Sequence, residues 1–574
     1  MSAENGSGIT SKLRLSAGKG DRRLLKGYGP LAALLVAFVL MAVLVPTVAP
    51  TQEVVHVTKT VSSGSSAGTT TATTLPGGTA GSAGTAGTTS STGGTAGKSG
   101  SQAIGKSGAC AGQAEQVPGD PYSPPCVTFS GYNGGATSMG VTANSILLSY
   151  RLTSDNESFQ QALAALGGAS ITDTDADVER TINTLATYFD THFQFYGRKI
   201  QVQFFNGQGS ESAELEGGGQ QAADADAVTV GQSIKPFGEL NGTTEPYDVA
   251  LAAQHVISFG SPYLSAAFMG QYAPYMWSIA PECNDIDATT TEFALKSLAG
   301  GKAQWAGGSL QNQPRKIAII APNDPWYQEC ANVGVQEAAA AGHPVADDIQ
   351  YDLNLSTISS QAATIVSKLQ NDGITTVICG CDPVTPVYLT SRAAEQGYTP
   401  EWVVAGTALT DTDIVGQLFD QAEWSHAFGV TFNGPIVPKE STFGYAAYKS
   451  VDPSTEPANA VDLIYAQMYE IAIGIEGAGP DLTPQNFETG MRNYPGSQAG
   501  ATNALYGTWG FPAGHFTPQL DAAIIYWDPN KISPYNSKQG AYVIASPRYK
   551  EGQFPDAPVP VPSNFPITPN SSSS

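Results

Sequence analysis

Six short segments of this sequence carry side chains suited to holding a small polar molecule. In the first half, Ser154, Asn156, Ser233 and Ser261 offer donors for an anionic or carbonyl group. Backbone N–H groups at helix starts offer the same. Lys235 can pair with a carboxylate, and Asp382, three residues before Thr385, can receive an ammonium. Phe237, Tyr263, Trp326 and Tyr327 supply apolar walls, the usual lining of a small-molecule pocket. Each residue also has a plainer role. A Ser or Asp after a strand often only caps the next helix, and aromatic rings fill cores. Asp324 before Pro325 reads as turn and cap chemistry.

Reactive centres fail on spacing. Asp173, Asp175, Asp177 and Glu179 alternate as in a calcium loop, but the sixth and twelfth places hold Val178 and Thr184, where that loop needs Gly and Glu. An acidic helix start is the better reading. The six histidines (56, 192, 255, 343, 426 and 515) are scattered with no HExxH. Gly207, Gly209 and Gly217–Gly219 make no dinucleotide fingerprint, and there is neither a GxSxG elbow nor a P-loop. The chemistry left is reversible binding, with no cofactor, no metal and no catalysis.

The elements that must position these residues alternate strand and helix. Ser145–Leu152 reads as a strand. Val178–Phe193 reads as a helix, with Ile182, Leu185, Ala186 and Phe189 on one face. Ile200–Phe205 is a strand, Glu211–Ala225 a helix, Val228–Gln232 a strand, and His255–Phe259 a short strand after a helix ending at Gln254. A second series follows from Arg315, with strands at Lys316–Ala321, Ala346–Tyr351, Thr375–Cys379 and Glu401–Ala405. Its helices are Trp326–Ala341, Thr357–Gln370 and Thr385–Gln396. Repeated βα units imply two parallel sheets with helices on both faces, hence two α/β lobes. Ligands bind beyond the C-terminal ends of strands in such sheets. That rule selects Thr153–Ser158, Ser233–Phe237, Gly260–Leu264, Asn323–Tyr327, Cys381–Thr385 and Gly406–Asp413.

The chain ends are of different composition. Residues 1–29 hold six Lys/Arg against two acids, so the rest carries 21 against 48 and is strongly acidic. An acidic body disfavours nucleic acid. Residues 31–45 are an uncharged apolar run within a segment 30–50 that reads as a transmembrane anchor or signal. The basic residues before it place the N-terminus inside and the body outside, in a single pass of the cell membrane. Residues 51–108 are rich in Thr, Gly and Ser and read as a stalk, spanning about 35–42 Å as a flexible coil. Residues 109–139 form a Cys-containing lead-in, and 553–574 a Pro/Ser-rich disordered tail.

All six cysteines then lie in a compartment that permits disulfides. Cys110 and Cys126 pair across a short loop. Cys283, Cys330, Cys379 and Cys381 allow three pairings, with Cys283–Cys330 and Cys330–Cys381 equally arguable. Cys379-Gly380-Cys381 is not a CxxC redox motif and reads as structural.

From about Gly140 to Asp528 the sequence resembles the type I periplasmic binding proteins. Within them it is most similar to the branched-chain amino-acid-binding (Leu/Ile/Val-binding-like) substrate-binding proteins of ABC transporters. The residues that carry the likeness are GVTANSILLS, THFQFYGRKIQVQFFN, RKIAIIAPNDPWYQE, TTVICGCDP, QGYTPEWVVAG and AAIIYWDP. The resemblance implies two Rossmann-like lobes, 140–277 and 278–430, with 431–552 interleaved between them. Three crossovers would form the hinge, near Trp277–Ala280, Phe428–Phe432 and Trp509–Ala523. It implies capture of an amino acid or similar solute by lobe closure and delivery to an ABC-type permease, and it places Asp382 where relatives often carry an acid. The anchor, the stalk and a long acidic segment at Thr153–Asp177 depart from the pattern. They keep a second reading open, a membrane-tethered sensor or cell-envelope interaction protein on the same fold.

Overall fold

The computed structural model describes residues 110, 112–155, 173–260, 263–497 and 506–570. The segments read as anchor and stalk lie outside these, as do Asn156 and Ser261. Among the described residues, no helix is long and apolar enough to cross a membrane.

Lobe I opens with β1 (Ser145–Leu152), α1 (Asp175–His192) and β2 (Lys199–Asn206). Thr174 and Asp177 form a reciprocal capping box at the start of α1. Asp177 also pairs with Arg180 at 2.7 Å, and these contacts hold its carboxyl down at about 2. The acidic run is therefore a helix start. Then come α2 (Glu211–Leu215), α3 (Gln220–Thr229), β3 (Gly238–Glu239), α4 (Glu245–Ala253), β4 (Ile257–Phe259), α5 (Ala266–Gln271) and β5 (Met276–Trp277). The five strands are parallel in the order β2-β1-β3-β4-β5.

Two expectations fail here. The helix expected over Glu211–Ala225 breaks at Gly217 and Gly219, which take φ of 79° and 70°, a conformation open to glycine. The strand expected at Val228–Gln232 is the end of α3 and a π turn over Val230–Ile234. The helix begun in the Ala-rich stretch runs on through the β-branched residues, since tertiary packing overrides weak propensity.

Lobe II holds α6 (Cys283–Ser297), β6 (Ile317–Pro322), α7 (Pro325–Ala340), β7 (Asp347–Tyr351), α8 (Ile358–Asn371), β8 (Thr376–Cys379), α9 (Thr385–Gln396), β9 (Glu401–Val404) and β10 (Ala427–Thr431). The chain then returns to lobe I as α10 (Phe443–Val451), α11 (Val461–Ala478) and α12 (Pro484–Arg492), which pack into the core around α1. It finishes in lobe II with β11 (Ala522–Ile532) and β12 (Gln539–Tyr549). β11 runs antiparallel to its neighbours β10 and β12, giving the order β12-β11-β10-β9-β8-β6-β7. Between lobes the chain crosses at 278–282, at 432–442 and at 506–521; the segment near Phe428–Phe432 expected as the second crossover is mostly β10, and the crossing follows it.

The C-terminal tail corrects another expectation. Phe554, Val559 and Phe565 are buried in a lobe II cluster. Glu292 of α6 accepts from the N–H groups of Gly552 and Phe554. Prolines restrict the unfolded tail, so docking three apolar side chains costs little extra entropy.

The disulfides are Cys110–Cys126, Cys283–Cys330 and Cys379–Cys381, with Cα atoms 5.7, 5.7 and 5.0 Å apart. The first pairing was expected and the second was one of the two arguable ones. The third closes a three-residue loop at the end of β8.

Candidate functional site

The C-terminal ends of both sheets face a common cleft. Its lobe I wall is organised around Arg151, the penultimate residue of β1, which is fully buried. Its guanidinium makes two bonds to Glu214 at 3.0 and 2.9 Å and lies 3.5 Å from Asp226. It stacks 3.6 Å from the centre of the Tyr247 ring. Gly207 and Gly209 have their role here: a Cβ at either would run into Arg151 and the carboxylates around it. Glu239 ends β3 and accepts from Ser149, from the Arg151 N–H at 2.7 Å and from Asn241. Burial raises the carboxyls of Glu239, Glu211 and Glu245 above their ordinary values. Among the described residues the wall is acidic, and its buried cation Arg151 is already committed.

The lobes touch through reciprocal aromatic contacts. Tyr263 of lobe I sits in a lobe II cluster and stacks on Tyr327, with ring centres 6.2 Å apart. Its hydroxyl faces the backbone of Ala408 and Leu409. Both of those residues hold positive φ, at 46° and 61°, a strained geometry for residues with side chains and common at ligand sites. Trp326 of lobe II packs against the lobe I core. Ser265 donates to Glu329 across the gap at 3.0 Å. Between these contacts lies a cavity of about 20 Å³. It is lined by Glu214, Leu215, Thr243, Thr244, Glu245 and Leu264 from lobe I, and by Trp326, Tyr327 and Leu353 from lobe II. That space suits about one water, so the two lobes are packed closely together at this point. A wider hollow of about 690 Å³ lies along the exposed face of α8, lined by that helix alone. Lacking a second wall, it encloses nothing.

The sequence-predicted residues fall into three groups. Trp326, Tyr327 and Tyr263 meet at the cleft. Ser154 is at the cleft end of β1, but its hydroxyl donates to the Gly209 carbonyl at 3.0 Å and ties two loops together. Asp382 and Thr385 are also at the correct sheet end, yet they serve one another. Asp382 accepts from the N–H groups of Val384 and Thr385 at 2.7 and 3.0 Å, from Tyr351 Oη at 2.6 Å and from the Thr385 hydroxyl. The carboxylate read as an ammonium receptor is thus saturated by the turn that leads into α9. Ser233, Lys235 and Phe237 are corrections. They precede β3 instead of following a strand, so they lie at the end of the sheet away from the cleft. Ser233 and Lys235 are exposed, and Phe237 is core packed on Phe487.

The reading missed Glu214, Thr243, Thr244, Glu245, Leu264 as a wall residue, and Leu353. Gly238–Glu239 carries the missing signal. Taken as a strand, it would have selected residues 240–245 by the same strand-end rule.

Asp324 proves more than a turn residue. It is buried, its Oδ2 has no hydrogen-bond partner, and it lies against Gly217 of lobe I. Burial pushes its carboxyl up to about 6 from 3.8, and neighbouring Asp352 acts in the same direction. The form that buries Asp324 therefore holds more protons between about pH 4 and about 6. Lobe contact at Asp324 is therefore expected to be strongest below that window and to weaken as pH rises through about 6. Asp324→Asn is expected to flatten this dependence and to tighten solute binding several-fold at neutral pH. Affinity titrated across that range for both chains checks it.

Residues 197–531 match the family described as Periplasmic binding protein. This covers more than half of the chain, and the chain belongs to that family, with its type I fold. Solved structures share the architecture. A solute binding protein of an ABC transporter from Rhodopseudomonas palustris HaA2, in complex with p-hydroxybenzoic acid, is 11% identical with a TM-score of 0.50, covering 72% of this chain and 98% of its own. Another from R. palustris, in complex with 4-hydroxybenzoate, is 11% identical with a TM-score of 0.50, covering 71% and 98%. A branched-chain amino acid transporter substrate binding protein from Streptococcus pneumoniae, in complex with isoleucine, is 14% identical with a TM-score of 0.46, covering 70% and 100%. A search of curated proteins finds no match.

Proposed function

We propose that this chain is an extracytoplasmic solute receptor that closes two lobes over an amino acid or similar small molecule and presents it to an ABC-type permease. The observation that carries this is the interlobe cavity, with acids and hydroxyls on its lobe I side and Trp326, Tyr327 and Leu353 on its lobe II side. Such walls favour a solute with an ammonium or other strong donor and a compact apolar part. A carboxylate would have to rely on backbone N–H groups and hydroxyls, because Arg151 is held by Glu214 and Asp226. Tethering through the apolar run at 31–45, with the body outside, belongs to the same proposal and rests on the sequence alone. Capture near the membrane would raise the receptor's effective concentration at its permease.

The test is a thermal-shift screen of the purified chain against amino acids, amines, amides, short peptides and aromatic acids. A solute at 100 times its dissociation constant adds about 2.7 kcal/mol of stability, a visible rise in melting temperature. Hits among amines and amino acids, absent for simple carboxylic acids, are expected. Hits confined to acids would refute the polarity read from the cleft, and no hit at all would refute the receptor reading.

A further inference from the structure

We infer that Glu282, Asp285 and His515 form a divalent-metal site in the hinge, of the zinc type. One donor atom from each lies within 4.8 Å of the others. His515 Nδ1 stands 3.6 Å from Glu282 Oε2 and 3.7 Å from Asp285 Oδ2. All three atoms are buried without a hydrogen-bond partner. The Glu282 side chain is entirely shielded from solvent, and its other oxygen accepts from the Phe516 N–H, which aims Oε2 at the cluster.

A plain ion pair with a protonated imidazole accounts poorly for this. Hydrogen bonds from nitrogen to oxygen span about 2.7–3.2 Å, and both separations exceed that. Ligand atoms bound at about 2.1 Å around one tetrahedral ion stand about 3.4 Å apart, close to the two separations from His515 Nδ1. Arg492 also acts electrostatically on Glu282 and His515, but its guanidinium is engaged elsewhere. Its guanidinium donates to the carbonyls of Pro512 and His515, reaches Glu488, and lies over the rings of Trp277 and Phe516. Two carboxylates and one imidazole balance a doubly charged ion. Their mixed oxygen and nitrogen donors suit zinc, with one coordination position left for water. His515 is 34% exposed, which gives the ion a route in.

The site joins separate parts of the hinge. Glu282 ends the first crossover, Asp285 lies in the first turn of α6, and His515 belongs to the third crossover. The Cys283 N–H donates to the Leu264 carbonyl at 3.2 Å, and Leu264 lines the cleft cavity. A bound ion would brace the two crossovers and hold the start of α6 against the cleft wall.

The test is calorimetric titration of the metal-stripped, untagged full-length chain with zinc chloride, with magnesium chloride as the control. Asp285→Asn and His515→Gln are the variants, chosen because both side chains reach the surface and their loss spares the buried Glu282. One zinc per chain is expected, at least tenfold weaker in each variant and unmatched by magnesium. X-ray absorption of the loaded chain should show nitrogen and oxygen donors without sulfur. No uptake by the natural chain, or undiminished uptake by either variant, would overturn the assignment.

Discussion

Replacing Arg151 with methionine is expected to destabilise the protein by about 3–5 kcal/mol, the usual cost of stranding buried partners of a lost charge. Glu214 and Asp226 would keep their carboxylates in a site from which water is excluded. Burial already raises neighbouring Glu211, and the Arg151 charge is the second largest influence on it, in the lowering direction. The loss would spread. Glu214 also accepts from Thr244, so the β1 end, α2 and the loop before α4 would loosen together. Denaturant titration should show an earlier midpoint. A combined Arg151→Met, Glu214→Leu, Asp226→Asn chain should recover part of the loss, because it removes the uncompensated charges as well. A loss below about 1 kcal/mol in the single variant would mean that the network is solvated and does not organise the wall.

Much of the fold was legible where periodicity was long. The helix α1 announces itself through Ile182, Leu185 and Phe189 on one face, and α9 was read at its observed bounds. Between Ile317 and Val404, lobe II was read almost element by element, because its strands are short apolar runs set off by turns, whereas α6, β10 and the β11–β12 hairpin were not read as elements. Reading failed where local pattern carries little information. β3 is two residues long, and a two-residue strand has no alternation to detect. It exists because Gly238 and Glu239 are held between β1 and β4. The tail looked disordered by composition, yet composition does not report that Phe554 and Phe565 have an apolar surface waiting for them on lobe II.

The candidate site was legible to the extent that strand ends were. In their described residues, five of the six chosen segments follow C-terminal strand ends, and Ser233–Phe237 does not. Position alone did not reveal which side chains are free. Asp382 and Ser154 carry suitable chemistry, but local hydrogen bonds consume it, and only the folded geometry shows this. Thr243, Thr244 and Glu245 were hidden behind the misplaced strand. Leu353 and Trp326 share a wall only because β6 and β7 are neighbours in the sheet. Such juxtapositions are properties of topology.

Trp326→Ala is expected to weaken solute binding by about 2–3 kcal/mol, which is roughly 30–150-fold. The indole does two jobs. It lines the interlobe cavity, and it packs against the lobe I core although it belongs to lobe II. Removing it takes contact from the solute and from the closed form alike. The closed form is further held by Tyr263 on Tyr327 and by Ser265 with Glu329, so the variant should still close when saturated. These two effects separate by experiment. Small-angle scattering of the solute-free variant should show a larger radius than the natural chain, and the two should converge at saturating solute. Affinity should fall mainly through faster release, since a lost closing contact shortens the life of the closed complex. If affinity falls while scattering stays unchanged, Trp326 serves the solute only, and closure rests on Tyr263. If neither changes, the aromatic wall is not where the solute is held, and the cavity between Glu214 and Tyr327 loses its claim as the binding site.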